Sequence, residues 1–148
     1  MEQPRTIRNA VTMMYIGAAL SILGIIVTFI QRDEIRDQIR DSDETLTADE
    51  LDTAVAVGLT FVVVTGLIGV GLWLWMASAN GKGKSWARVV ATVLGGLNIV
   101  FTLLGVALGQ TTPLSAVASV VGVALAVAIL VLLYRPDSNR YYDAMAPR

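Results

Sequence analysis

Chemistry at a protein site needs ionisable, nucleophilic or metal-ligating side chains at short, fixed spacings. This chain offers few of them. It has no cysteine and no histidine, which removes thiolate nucleophiles, disulfides, imidazole proton relays and ordinary zinc ligation. The densest cluster of possible ligands is Asp41, Asp43 and Glu44. A calcium loop of the EF-hand kind requires glycine at its sixth position, and Asp41-Ser42-Asp43-Glu44-Thr45-Leu46 has none there. A solvated charged tip is expected instead. Gly81 and Gly83, flanked by Lys82 and Lys84, lack the spacing and preceding strand of a phosphate loop, so they read as an interfacial turn. The sequence therefore predicts no catalytic residue, no cofactor and no metal.

The elements explain why. Residues 11–30, 54–79, 89–108 and 114–134 carry none of the 23 formal charges, and together they make up 87 of the 148 residues. A soluble domain spreads charge along all its elements, whereas about 20 apolar residues cross a hydrocarbon core of about 30 Å. Four spans follow, at about 10–30, 54–79, 87–108 and 113–134. The first is too long for the apolar core of a secretory signal and is read as uncleaved. This excludes a soluble enzyme, a secreted scaffold and a nucleic-acid-binding domain. Pumps and coupled exporters keep ionisable groups at membrane depth, and residues 11–30, 54–79, 89–108 and 114–134 have none. The fold class predicted is all-α, a single transmembrane four-helix bundle with both termini cytoplasmic.

The charged remainder divides by sign. Residues 31–53 hold nine acids and three arginines. Asp33 with Arg36 and Asp37 with Arg40 have helical i,i+3 spacing, as Ile35 and Ile39 have i,i+4 spacing. Asp41-Ser42-Asp43 should end that helix. Thr47-Ala48-Asp49-Glu50 matches a capping box that starts the next helix before it enters the membrane near Ala54. An acidic helical hairpin is the result. Eight of the eleven basic residues fall in the N-terminal segment, the 80–88 connection and the tail at 135–148. Placing these inside satisfies the positive-inside rule and makes the hairpin extracellular. Trp73, Trp75, Trp86 and Tyr134, with Arg88, are then inner-interface anchors. Thr112 should cap the fourth span at Pro113, and Asp137 or Ser138 a short tail helix. The tail tyrosines, Tyr141 and Tyr142, read as rings lying at headgroup level.

Small and polar residues recur at helical spacing within the spans. In the third they are Ala91, Gly95, Asn98, Thr102, Gly105 and Gly109. In the first they are Gly17, Ser21, Gly24 and Thr28; in the second, Gly58, Thr65 and Gly69; in the fourth, Ser115, Ser119, Gly122 and Ala126. Such stripes let helix backbones approach closely where lipid supplies no hydrophobic drive. Asn98 is the most polar group at depth and should face the bundle, bonded to Thr102, Thr92 or a neighbouring hydroxyl. Arg8 with Thr12 and Arg88 with Thr92 begin spans 1 and 3 alike, a faint sign of a duplicated hairpin.

Met14-Tyr15-Ile16-Gly17-Ala18-Ala19-Leu20, Gly83-Lys84-Ser85-Trp86-Ala87-Arg88 and Arg135-Pro136-Asp137-Ser138-Asn139-Arg140-Tyr141-Tyr142 resemble a type of small four-span membrane protein common in actinobacteria. The likeness runs over most of the chain, least of all in the acidic hairpin. It implies a bacterial plasma membrane and brings no activity with it. The expected role is a non-catalytic scaffold or accessory subunit in contact with the lipid bilayer, with a membrane-protein partner or further copies of itself and no nucleic acid. The alternative is a small passive channel or transporter subunit with a polar seam around Asn98.

Overall fold

The structure, a computed structural model, describes residues 2–108 and 113–146. Its six helices in chain order are α1 (Arg5–Ile30), α2 (Arg32–Ser42), α3 (Ala48–Gly81), α4 (Ser85–Ala107), α5 (Pro113–Leu133) and α6 (Pro136–Met145). Four of them are long and apolar enough to cross a membrane. At 1.5 Å per residue, the 34 residues of α3 extend about 51 Å, well beyond a hydrocarbon core of about 30 Å. The first turns of α3 therefore serve another purpose. Thr112, expected to cap α5, lies outside the described residues.

The chain divides into two compact units. One comprises 18–72. Here α1 ends at Ile30, and Gln31 (φ −87°, ψ 13°) separates it from α2. The helical hydrogen bonds still run through the break, from the Gln31 amide to the Val27 carbonyl and from the Ile35 amide to the Gln31 carbonyl. The helix of the first candidate span thus runs on into α2 across a one-residue break. Helix α2 stops at Ser42, and the chain returns as α3, burying Leu51 and Val55. Lower in this unit, α1 and α3 touch at glycine. A Cβ on Gly66 would lie 2.6 Å from the Ile25 side chain, so the side chain of Ile25 occupies the space that glycine leaves.

The other unit comprises 1–17 and 73–148. It gathers the start of α1, the end of α3 and all of α4, α5 and α6. Its core is Ile7, Ala10 and Met14 from α1, Met76 and Ala77 from α3, Ala91 from α4, Ile129 and Leu133 from α5, and Tyr141 and Tyr142 from α6. Three alanines, Ala10, Ala77 and Ala91, lie among the longer side chains of this core. The turn joining α3 to α4 is short. Gly83 takes φ +68°, and its amide bonds the Asn80 carbonyl while that of Lys84 bonds Ala79.

Candidate functional site

Polar contacts concentrate in two places, neither within the apolar middle of a span. The first is the end of the larger unit where α6 docks. The phenol of Tyr142 donates to Asn80 Oδ1 at 2.7 Å, and Asn80 Nδ2 donates to the Met76 carbonyl at 2.9 Å. Both side chains are buried, so each satisfies a group that would otherwise be stranded. Tyr141 donates to the Gly81 carbonyl at 2.9 Å, which also accepts from Gln3 Nε2 at 3.2 Å. Ser138 is fully buried, with its hydroxyl 2.7 Å from the Leu132 carbonyl and 2.8 Å from Thr6 Oγ1. Neither Ser138 nor Asp137 caps α6. Arg135 occupies that position in extended conformation, with proline following it at the first helical turn.

Arg88 holds the centre of this cluster. Its guanidinium lies 4.8 Å from the Tyr134 ring centre and 5.1 Å from that of Tyr142, and Nη1 bonds Asn139 Oδ1. Its Nε is buried without a hydrogen-bond partner. The aromatic faces supply the negative potential that a carboxylate would supply elsewhere. Tyr134 also bonds Thr92 Oγ1 at 2.8 Å. Burial pushes the Tyr142 phenol up from its ordinary pKa, opposed in part by Arg88.

The tail tyrosines therefore differ from expectation. They are core side chains rather than headgroup anchors, because their hydroxyls reach backbone and amide acceptors inside the unit. Trp73 also turns inward. Its ring lies 2.7–2.9 Å from where a Cβ on Gly17 would be, a fit that requires glycine. Trp75 and Trp86 remain exposed, with ring centres 5.0 Å apart and Lys84 Nζ 5.9 Å from the Trp86 ring. That arrangement suits an interfacial belt.

The second polar concentration is the acidic hairpin. One oxygen of Asp43 accepts from the Thr45 amide at 3.0 Å and the Thr45 hydroxyl at 2.6 Å, shaping the turn after α2. The capping box forms as read. Glu50 Oε2 accepts from the Thr47 amide and hydroxyl, each at 2.8 Å, and Thr47 Oγ1 accepts from the Glu50 amide at 3.3 Å. These bonds hold both carboxyls below the usual carboxylate range, the Thr45 and Thr47 contacts being the largest causes. Arg36 pairs with Asp52 of α3 rather than with Asp33, so the ion pair ties the two arms together. Among the described residues no group of three or more acidic side chains is placed to hold a metal ion.

The small-residue stripes divide. Gly17 packs on Trp73, and a Cβ on Gly95 would lie 3.4 Å from Leu130 of α5. Ser21 sits opposite Gly69 in the smaller unit, 3.9 Å from a Cβ there. Thr102 and Ser119 are half-buried. Gly24, Gly105 and Gly122 meet nothing within 4 Å. Asn98 is exposed and makes no hydrogen bond among the described residues, and the Thr92 hydroxyl bonds Arg88 and Tyr134. An open groove of about 380 Å³ lined by Phe29, Arg32, Leu59 and Val63 adds little chemistry, since its Thr60 hydroxyl bonds the Ala56 carbonyl. No family model, curated protein or solved structure matches the chain.

Proposed function

We propose that this is a non-catalytic scaffold or accessory subunit of a bacterial plasma membrane, its four spans forming a bundle with both termini cytoplasmic. The observation that carries this reading is the hairpin of α2 and early α3. It is ordered before any partner arrives, by the Asp43–Thr45 turn, the Thr47–Glu50 capping box, the Arg36–Asp52 pair and buried Leu51 and Val55. Its acids outnumber its arginines by nine to three. A projection already fixed in shape loses less entropy on binding, and its charge selects a basic surface. The cluster around α6 in the other unit supports the same reading, because its polar groups are consumed in holding α6.

A photo-crosslinking residue at Asp41, introduced in cells, tests the proposal. It should give one discrete adduct in native membranes, weakened when Asp37 and Glu44 are changed to Asn and Gln. Failure to form any adduct beyond the chain itself counts against the scaffold. The channel alternative predicts solute flux through reconstituted liposomes. The scaffold reading expects no flux.

A further inference from the structure

We propose that the Arg88 guanidinium, helped by Lys84, binds the phosphate of an anionic phospholipid at the membrane interface. This rests on the membrane-spanning reading above. Within the cluster around α6, Arg88 is the exception whose polar groups are not used up. Its Nη1 bonds Asn139 Oδ1, but Nε and Nη2 have no hydrogen-bond partner among the described residues. Those two nitrogens form one edge of the planar fork, with parallel N–H groups that match two oxygens of a phosphate. Nε is buried, so leaving it unbonded is costly. The Tyr134 and Tyr142 rings offset the positive charge, yet their hydroxyls are bonded to Thr92 and Asn80. No carboxylate fills the place either, since among the described residues the only ion pair is Arg36 with Asp52. The edge lacks an acceptor of negative charge.

Position and charge select a lipid as the occupant. Arg88 directly precedes the uncharged residues 89–108, so it stands where the span meets the headgroups. Trp86 and Tyr134 beside it are exposed, as rings of an interfacial belt are. Lys84 is exposed too. It lies four residues before Arg88, the spacing of neighbouring side chains at a helix surface, and its Nζ is 5.9 Å from the Trp86 ring. Across 80–88 and 135–146 the basic residues are Lys82, Lys84, Arg88, Arg135 and Arg140, against Asp137 and Asp143 alone. Such an excess attracts anionic headgroups and repels the ammonium group of a zwitterionic one. The ligand that fits is a phosphodiester with no cation of its own, held at the surface by acyl chains.

Tryptophan quenching in vesicles tests this, because Trp86 reports from beside the site. The full chain is reconstituted in phosphatidylcholine containing either dibrominated phosphatidylglycerol or dibrominated phosphatidylcholine at equal mole fraction. Quenching should show the anionic lipid enriched about 5-fold at the protein. Arg88→Lys keeps the charge but not the fork and should lose most of that enrichment. Lys84→Gln should lose part of it, and Arg40→Gln, exposed in the hairpin, none. Lys84 is an exposed turn residue, so its variant keeps the test valid if Arg88→Lys loosens α6. Equal quenching by the two lipids, enrichment that survives both Arg88→Lys and Lys84→Gln, or an equal loss from Arg40→Gln would overturn the site. Inorganic phosphate at matched ionic strength should leave the quenching unchanged; displacement by it would assign the edge to a soluble anion and overturn the lipid. Resistance to carbonate extraction reads insertion separately. An inserted chain without enrichment overturns this inference alone, and an extracted chain overturns the spanning reading with it.

Discussion

At Gly83 backbone and packing impose the same requirement. Its φ of +68° is a conformation L side chains adopt at a cost of about 1–2 kcal/mol. A Cβ there would also lie 2.8–2.9 Å from Met145 and 2.9 Å from Tyr141. Gly83→Ala is therefore expected to loosen α6 and lower the melting temperature in detergent by about 3–8 °C. Gly17 and Gly24 form a cleaner pair, being on one helix and in one sequence stripe. Gly17→Ala drives a methyl into the rigid Trp73 ring, whereas Gly24→Ala meets open space. Thermal unfolding should fall clearly for the first and stay unchanged or rise slightly for the second, since alanine is the better helix former. Equal effects would show that the Trp73 contact does not limit stability.

Among the elements, α6 and the hairpin respond to opposite ends of the pH scale. Tyr142→Phe removes the donor to buried Asn80 Oδ1, at an expected cost of about 1–3 kcal/mol for the stranded acceptor. The phenol's pKa is raised by burial in the folded state. Its contribution is thus complete below the ordinary tyrosine value of about 10 and is lost as pH rises above it. Melting curves between pH 9 and 11 should fall more steeply for the native chain than for Tyr142→Phe. Asp43 and Glu50 behave conversely, since their folded pKa values are depressed. The stability they add is present at neutral pH and is lost as pH falls below about 4. Amide exchange at Thr45 and Thr47, corrected for intrinsic rates, should accelerate there while the core amides of α4 keep their protection. The difference between these elements also shows what a sequence can reveal. The capping box and the end of α2 at Ser42 follow from local residue types, so they were legible at Thr47, Glu50 and Asp43. The docking of α6 depends on contacts such as Tyr142 with Asn80 and Ser138 with Thr6, more than 60 residues apart, which no local pattern encodes. Tyr-Tyr beside arginine looks the same whether it floats at an interface or fills a core. The packing of Trp73 on Gly17 is hidden for a related reason: its partner is defined by the side chain it lacks.

For the molecule as a whole, the remaining choice is which side of the membrane each polar end faces. The start of α1, the 82–84 turn and α6 are joined by hydrogen bonds from Gln3 and Tyr141 to Gly81 and by the Thr6–Ser138 contact, so they share a compartment. That group carries Arg5, Arg8, Lys82, Lys84, Arg88, Arg135 and Arg140, whereas the hairpin carries an acidic excess. Positive residues near span ends are retained on the cytoplasmic side during insertion, and acidic ones contribute little. The whole group is therefore expected inside and the hairpin outside. Single thiols make the test direct. Ser42→Cys and Ser85→Cys both replace exposed residues, at the hairpin end and at the α4 start. On intact cells a membrane-impermeant thiol reagent should label Ser42→Cys fully and Ser85→Cys only after permeabilisation. The reverse pattern would invert the orientation and put the acidic projection in the cytoplasm. Labelling of both in intact cells would break the link between membrane sidedness and charge on which the outward-facing scaffold depends.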